Sequence, residues 1–293
     1  MPTLPLLDPK NDFVFKRLFA QRPELLADLI NAVRSDQPPV EVIEVLNPRI
    51  DPAELTGKFI VLDVLARDVN GSLYGIEMQV RHQPAWDVRS AFYLARAFAN
   101  QLQTGQDYRA LRPAVAIHLM DFELFDDPAQ AHWRFELRDR DQPAVRLTSA
   151  LEWNLIELPK LDRLRANRNS GTLAAWVAYF EHWREDAVMS AITHTPVQQA
   201  RQQLEELSGD EEARRLAFVL ERARRDEASI RHAERSEGRE EGREEGRQEG
   251  RHEARLEVAR SLFGQPGLDD ATIARLTGLT LDEVQQLRQA AGA

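Results

Sequence analysis

Two carboxylates lie in apolar segments that are predicted to be neighbouring strands. Asp63 is the one polar residue in the run Phe59–Ala66, whose remaining residues are all apolar. Glu77 lies in the following segment, 73–81, and Gln79 shares its strand face because side chains alternate with a period of two. An ionised carboxylate in an apolar strand is costly unless it is paired or binds a cation. These residues are therefore the first candidates for a functional site.

Two interpretations of this group remain open. Carboxylate and amide oxygens are ligands of Mg²⁺, and a bound Mg²⁺ can polarise a phosphodiester and lower the pKa of an attacking water. Alternatively, the carboxylates are structural and pair with Lys58, Arg67 or Arg81. The sequence thus predicts either a hydrolytic metal site or a set of ion pairs.

The turn between the two strands decides whether the carboxylates meet. A two-residue turn at Asn70-Gly71 would leave Asp63 and Glu77 on opposite faces. A three-residue loop, 69–71, with Gly71 in the left-handed conformation would place them directly opposite each other. Asp68 and Gly71 suit the first and fourth positions of the turn in that loop. We therefore expect residues 59–67 to pair with 73–81 through the three-residue loop.

The surrounding elements are predicted from periodicity and capping residues. Asn11 and Asp12 can cap a short helix, and Pro23 suits the first turn of a second one. Residues 85–103 have helical spacing with Phe92, Ala95, Phe98 and Leu102 on the apolar face. Further strands are expected at 114–121, 133–138 and 151–158.

Arg89 and Tyr93 lie one helical turn apart on the predicted helix 85–103. They could hold phosphate oxygens beside the hairpin. Alternatively, they pair with Asp87 or pack beneath the sheet. His118, on the expected strand 114–121, is interpreted as a core histidine.

The composition limits the chemistry. The chain has 293 residues, of which 43% are apolar and 29% charged, with a net charge of −10 and no cysteine. Disulfides, cysteine zinc sites and thiol nucleophiles are therefore excluded. No run approaches 18 apolar residues, so no membrane span or secretory signal is expected, and the predicted location is cytoplasmic.

The sequence resembles a known nuclease family through several short motifs in matching order over residues 5–165. The motifs are Lys10-Asn11-Asp12-Phe13-Val14-Phe15-Lys16, Leu62-Asp63-Val64, Tyr74-Gly75-Ile76-Glu77-Met78-Gln79, Arg89 with Tyr93, Gly105 with Tyr108, and Glu157-Leu158-Pro159-Lys160. Together they are similar to the Rpn family of recombination-promoting nucleases, also described as transposases, within the PD-(D/E)XK superfamily.

This resemblance implies an α+β fold, a PD-(D/E)XK-like mixed sheet flanked by helices. It implies a DNA endonuclease dependent on Mg²⁺ (or Mn²⁺) and linked to mobile elements or phage defence. Asp63 and Glu77 would be the metal ligands, and Gln79 would occupy the place of the catalytic lysine. Asp12 is the best match to the acidic group of the first helix, although it could equally be a simple helix cap. A glutamine supplies no positive charge, which keeps open the alternative of a catalytically weak nuclease-fold protein that acts as an oligomeric binding or regulatory module.

The second half of the chain is predicted to be helical. We expect a nuclease-like domain at 1–165, a helical extension at 166–235, a Glu-Gly-Arg repeat helix at 236–256 and a tail at 257–293. Trp176, Tyr179, Phe180 and Trp183 are interpreted as core residues of the extension.

The repeat contains four consecutive four-residue units, each of which begins with Glu-Gly-Arg. The fourth residue is Glu in the first two units, Gln in the third and His in the last. Its charged neighbours support one long helix over residues 210–260, whereas each glycine weakens it by about 1 kcal/mol. The repeat therefore forms either a frayed single helix or a helix stabilised by self-association, and a homo-oligomer through the C-terminal helices is expected. In the tail, Ala274, Gly278 and Val284 have helix-turn-helix spacing. A helical hairpin used in packing is the favoured interpretation, because a third helix is not evident, and DNA contacts through Arg275, Gln285 or Arg288 are the alternative.

Overall fold

The computed structural model describes residues 5–46, 64–165 and 171–291. Asp63 and the first half of the predicted strand 59–67 lie outside these ranges. The chain divides into two compact units, residues 1–222 and residues 223–293. The boundary predicted at residue 165 therefore falls within the first unit.

The described part of the first unit contains a mixed sheet of six strands in the order β1-β2-β3-β4-β6-β5. The strands are β1 Val42–Val45, β2 Val64–Asp68, β3 Leu73–Gln79, β4 Ala114–Met120, β5 His132–Arg138 and β6 Arg146–Glu157. Strand β3 pairs in parallel with β4, and β4 pairs in parallel with β6. The other pairs are antiparallel. The fold is thus the α+β mixed sheet that the resemblance implies.

The helices flank this sheet and then form the second half of the chain. Their bounds are α1 Asp12–Ala20, α2 Pro23–Val33, α3 Trp86–Ala99, α4 Leu158–Arg165, α5 Thr172–His182, α6 Asp186–Ala191, α7 Thr195–Gly209, α8 Glu211–Leu262, α9 Asp270–Thr277 and α10 Leu281–Ala291. The long helix expected over 210–260 is confirmed as α8. No helix among the described residues is long and apolar enough to cross a membrane.

The hairpin between β2 and β3 has the predicted turn and register. The Gly71 N–H donates to the Asp68 carbonyl at 3.0 Å, and Gly71 has a φ of 83°. Val64 is paired with Ile76 and Arg67 with Leu73. The described part of the hairpin therefore contains the predicted three-residue loop, 69–71.

The two faces of the sheet pack differently. One face carries the main apolar core, in which Tyr74 and Ile76 of β3 and Ile117 of β4 pack against α1, α2, α5 and α7. The aromatic residues predicted as core are buried there: Trp176, Tyr179, Phe180 and Trp183. The other face carries Leu73, Ala114 and Ala116 and is covered by α3. The helical segment after residue 171 therefore belongs to the same core as the sheet.

The buried face of α3 differs from the prediction. Phe92, expected on the apolar face, is 56% exposed. Trp86, Ser90 and Leu94 face the sheet instead. The polar Ser90 interrupts the apolar periodicity of this face, which is why Phe92 and Ala95 are wrongly predicted to be buried, whereas Phe98 packs against this face as predicted.

Glu157 and Lys160 of the motif Glu157-Leu158-Pro159-Lys160 form a buried anchor at the junction of β6 and α4. The Lys160 ammonium lies 2.6 Å from the Glu157 carboxylate and donates to the Phe125 carbonyl. Glu157 also accepts from the N–H groups of Leu124 and Phe125 and from the Trp133 indole. Burial raises the pKa of Glu157, but Lys160 and these donors outweigh it and lower the pKa overall. The pair holds the segment after β4 against the end of β6.

The second unit contains a small core of its own. Residues from the end of α8, from α9 and from α10 meet there, among them Ala259, Ile273, Leu279, Val284 and Leu287. Gly278 ends α9 in the left-handed conformation. The third helix that the sequence did not reveal is therefore the last part of α8.

The anchor at Lys160 gives a test of the first unit. The variant Lys160→Met leaves the buried Glu157 carboxylate without its counter-charge, and removing one partner of a buried ion pair costs about 3 kcal/mol or more. Urea unfolding followed by circular dichroism should show this loss. Arg163→Ala, which removes an exposed ion pair with Glu123, should have a much smaller effect. Equal effects of the two variants would contradict the anchoring role.

Candidate active site

Glu77 is the centre of a polar group on the α3 face of the sheet. Its side chain is 6% exposed and therefore needs polar partners. The Gln79 amide donates to Glu77 Oε2 at 3.1 Å. His118 Nδ1 lies 3.3 Å from the same oxygen, close enough for an electrostatic contact but without the geometry of a hydrogen bond. Both contacts fall on one carboxylate oxygen.

The parallel pairing of β3 with β4 produces the contact between Glu77 and His118. The two residues are register partners, so their side chains point to the same face. His118 is only 1% exposed, and its Nε2 lies 2.7 Å from Ser90 Oγ of α3. The Trp86 indole packs edge-on against the imidazole, with ring centroids 4.9 Å apart. The imidazole is thus held from the sheet and from the helix.

The electrostatic surroundings keep Glu77 ionised. Burial alone raises the pKa of its carboxyl, but His118, the Arg89 guanidinium and the Gln79 amide act in the opposite direction and lower the pKa overall. Arg89 is held in turn by a hydrogen bond of 2.7 Å to the Gln83 side chain. The site therefore presents a buried negative charge next to a half-buried cation.

Helix α3 begins at a strained residue. Ala85 precedes the helix with a φ of 55°, and it is the only non-glycine residue with positive φ among those the structure describes. This conformation costs an L-residue roughly 1–2 kcal/mol. Trp86 and Ser90 follow Ala85 on one face of α3, and both contact His118. The conformation of Ala85 therefore determines where these two residues begin their approach to the sheet.

The structure brings together some of the predicted site residues. Glu77 and Gln79 are in contact, and the charge of Arg89 acts on Glu77. Tyr93 is half-buried on α3, where its ring contacts Phe92. Asp12 is the first residue of α1, and the apolar side chains of that helix pack on the opposite face.

The remaining predictions concern the partners of these residues. Asp63 lies outside the described residues, so its place in the site stays a prediction. Arg67, considered as a structural partner of the carboxylates, pairs with Glu44. Arg89, considered as a partner of Asp87, donates to Gln83. His118 is buried as predicted, but its contact with Glu77 was not anticipated. Glu77 and His118 are 41 residues apart in the sequence and meet because β3 and β4 pair in parallel. The periodicity of a sequence does not show which strands will be neighbours in the sheet.

The donors present are of the kind that divalent cations accept. Glu77 offers a carboxylate and Gln79 an amide oxygen, both hard oxygen ligands. Within residues 5–46, 64–165 and 171–291, no group of three or more His, Asp and Glu side chains is arranged to hold a metal. The described residues thus fit part of a cation site, and Asp63 is the predicted acidic ligand still needed.

The fold and this hairpin define a nuclease core of the PD-(D/E)XK type. The model of the PD-(D/E)XK nuclease family transposases matches residues 9–234, and that of the C-terminal HTH domain of the Rpn/YhgA-like nuclease family matches residues 252–289. The chain belongs to this family of PD-(D/E)XK nucleases, as the resemblance implied. The second match corrects the preference for a helical hairpin in the tail, since it identifies a helix-turn-helix domain. Neither a curated protein nor a solved structure matches the chain.

The strain at Ala85 can be measured by relieving it. Ala85→Gly removes the Cβ that disfavours the left-handed conformation, and we expect it to stabilise the fold by about 0.5–1 kcal/mol. Ala95→Gly, at an exposed position inside α3, is the matched control and should destabilise by about 1 kcal/mol. Denaturant unfolding of both variants measures the two effects. A destabilisation at both positions would contradict the strain.

Proposed function

We propose that the protein is a DNA endonuclease that hydrolyses phosphodiesters with Mg²⁺ (or Mn²⁺), of the recombination-promoting nuclease and transposase type, with a role in mobile elements or phage defence. The observation that supports this most directly is Glu77, a buried carboxylate kept ionised on the central hairpin of a PD-(D/E)XK fold. A DNA substrate agrees with the predicted cytoplasmic location.

Asp63 is proposed as the second acidic ligand. It directly precedes Val64, and Val64 is paired with Ile76, the neighbour of Glu77. The described register is therefore the one in which the sequence predicts the two carboxylates to face each other. The alternative register, from a two-residue turn, does not occur in the described hairpin.

The remaining side chains have separate roles in this proposal. A bound divalent cation supplies the Lewis acid that polarises the phosphodiester and acidifies the attacking water. Glu77 would hold this cation, and Gln79 orients the carboxylate by donating its amide N–H to Oε2. Arg89 supplies the positive charge that Gln79 lacks, and Arg89 and Tyr93 hold phosphate oxygens.

Asp12 is proposed as the acidic group of the first helix. The alternative was that Asp12 only caps the helix. In the structure Asn11 is the N-cap, and its side chain accepts from the Phe13 N–H at 3.0 Å. The N-cap is therefore Asn11, and Asp12 is the first residue of the helix itself.

The central test uses Asp63→Asn and Glu77→Gln, which keep side-chain volume but remove the charge that binds the cation. Nicking of plasmid DNA in Mg²⁺ should fall at least about 100-fold in each variant, a change of about 2.7 kcal/mol in the activation barrier. Asp141→Asn, in an exposed loop, is the control and should cleave as the wild type does.

Melting in EDTA separates a ligand from a structural ion pair. If Asp63 binds the cation, Asp63→Asn should melt at the same temperature as the wild type or higher, because an electrostatically strained carboxylate has been neutralised. If Asp63 pairs with a buried cation, the variant should lose a few kcal/mol. Loss of stability with unchanged cleavage would refute the assignment of Asp63.

The second unit is proposed to bind DNA through its helix-turn-helix domain. Arg275 and Gln285 are exposed. Arg288 is not equally available, because it pairs with Asp270 at 2.8 Å and lies over the Phe263 ring. Of the three predicted contacts, Arg275 and Gln285 therefore have side chains free to reach a nucleic acid.

Fluorescence anisotropy with duplex DNA tests this domain. Arg275→Ala should weaken binding and reduce the slope of log K against log salt by about 1, as expected for one lost phosphate contact. Arg288→Ala should change the slope less and lower the melting temperature of the second unit instead. A slope that responds only to Arg288→Ala would contradict the proposed contacts.

The homo-oligomer through the C-terminal helices is also proposed. Gly242, Gly246 and Gly250 repeat at one-turn spacing on α8. Apart from their chain neighbours and the nearby backbone of the helix itself, no atom of the described residues lies within 4 Å of a Cβ position at any of them. A second helix could approach closely there. The runner-up function, a catalytically weak oligomeric binding or regulatory module, is favoured by the absence of a charged residue at Gln79, and inactivity of the wild type in the nicking assay would support it.

A further inference from the structure

His118 is a buried histidine whose two ring nitrogens both face polar side chains. Nε2 lies 2.7 Å from Ser90 Oγ, and Nδ1 lies 3.3 Å from Glu77 Oε2. We assign the Ser90 hydroxyl as the donor to Nε2, which places the ring proton on Nδ1. Nδ1 lies close to the Glu77 carboxylate without completing a hydrogen bond to it, so its influence on Glu77 is electrostatic.

The contacts of Glu77 are unevenly distributed between its two oxygens. Gln79 and His118 both approach Oε2. A carboxylate held at one oxygen has a fixed side-chain torsion, and its other oxygen points in a fixed direction. Groups that hold a metal ligand in this way orient it and raise the metal affinity, typically by 10–100-fold.

The packing around the imidazole prevents it from turning. The Trp86 indole lies edge-on at 4.9 Å, and Trp86 and Ser90 are one helical turn apart on the buried face of α3. Rotation of the ring would break the contact with Ser90 or clash with the indole. The ring therefore stays in one orientation, with Nδ1 on the side of Glu77.

We propose that His118 is a positioning residue that fixes Glu77 through Oε2 so that Oε1 is presented to the divalent cation. This inference rests on the proposed metal-dependent function of the hairpin. Ser90 and Trp86 in turn position His118. The role differs from that of a core histidine such as His132, whose Nε2 contacts Asn154 of the neighbouring strand β6 at 3.1 Å.

The experiment compares variants of the full-length protein by Mn²⁺ titration, followed by electron paramagnetic resonance of free Mn²⁺. His118→Phe fills the ring volume but removes the donor, and we expect the dissociation constant of Mn²⁺ to rise about 10–100-fold. His118→Asn keeps an N–H near the position of Nδ1 and should restore the affinity to within a few-fold of the wild type. Ser90→Ala, which disturbs Glu77 only through His118, should give a smaller rise.

The control is His132→Phe, which removes a histidine side chain from the same sheet. Unfolding by urea should show a comparable loss of stability for His118→Phe and His132→Phe, whereas only the former should weaken Mn²⁺ binding. In DNA cleavage, His118→Phe should need more Mg²⁺ for half-maximal rate with the KM for DNA unchanged. Rescue by Asn and not by Phe distinguishes positioning from packing.

Failure of this inference is distinguishable from failure of the proposed function. One outcome would overturn only the role of His118. In it, the wild type cleaves DNA, Glu77→Gln abolishes cleavage, and His118→Phe binds Mn²⁺ as tightly as the wild type does. If His118→Phe does not fold, a Ser90→Ala variant that binds Mn²⁺ as tightly as the wild type would overturn it as well. Wild-type protein that neither binds Mn²⁺ nor cleaves would overturn both proposals.

Discussion

The cost of burying the Glu77 carboxylate is the constraint that organises the α3 face of the sheet. Burial raises the pKa of this group, and without polar partners the buried carboxylate would become protonated and lose its charge. The parallel strand β4 supplies His118 beside it, β3 supplies Gln79, and α3 supplies Arg89. The same face carries the small side chains of Ala114 and Ala116 on β4, the strand that contributes His118.

The hairpin register depends on a second buried carboxylate, Asp68, at the turn. Its side chain accepts from the N–H groups of Asn70 and Ser72 and from the hydroxyl of Tyr74. Burial raises the pKa of Tyr74 to about 12, so its hydroxyl stays a donor at neutral pH. Because a slip of one residue would break all three hydrogen bonds and move the apolar side chains off the core face, the turn fixes which residue of β2 faces Glu77.

The parts of the fold that sequence reasoning predicts are those specified locally. Asp68 and Gly71 encode the loop and its register within four residues, and Asn11 encodes the start of α1. The contact of Glu77 with His118 is not local, since it depends on the order of parallel strands. The buried side of α3 is mispredicted at Phe92 and Ala95 because Ser90 faces the sheet beside His118, and this polar residue breaks the apolar pattern by which the face would be recognised. The third helix of the second unit is not recognisable in the sequence, because it continues directly from the charged repeat. Its apolar contacts come only from the last turns of α8, near Ala259.

The replacement of a lysine by Gln79 makes the proposed site dependent on α3. An ammonium on β3 would bring its charge to the scissile phosphate from the same strand as Glu77, whereas an amide brings only a dipole. The cation whose charge acts on this carboxylate is Arg89, which lies on the helix and donates a hydrogen bond to Gln83. A guanidinium retains its charge at any physiological pH and can hold a phosphate through two hydrogen bonds. Its placement depends on how α3 begins, at the left-handed Ala85. In this arrangement the strained residue, the arginine and the imidazole support are parts of one helix, so a displacement of α3 would change the charge, the position of Glu77 and the phosphate contact together.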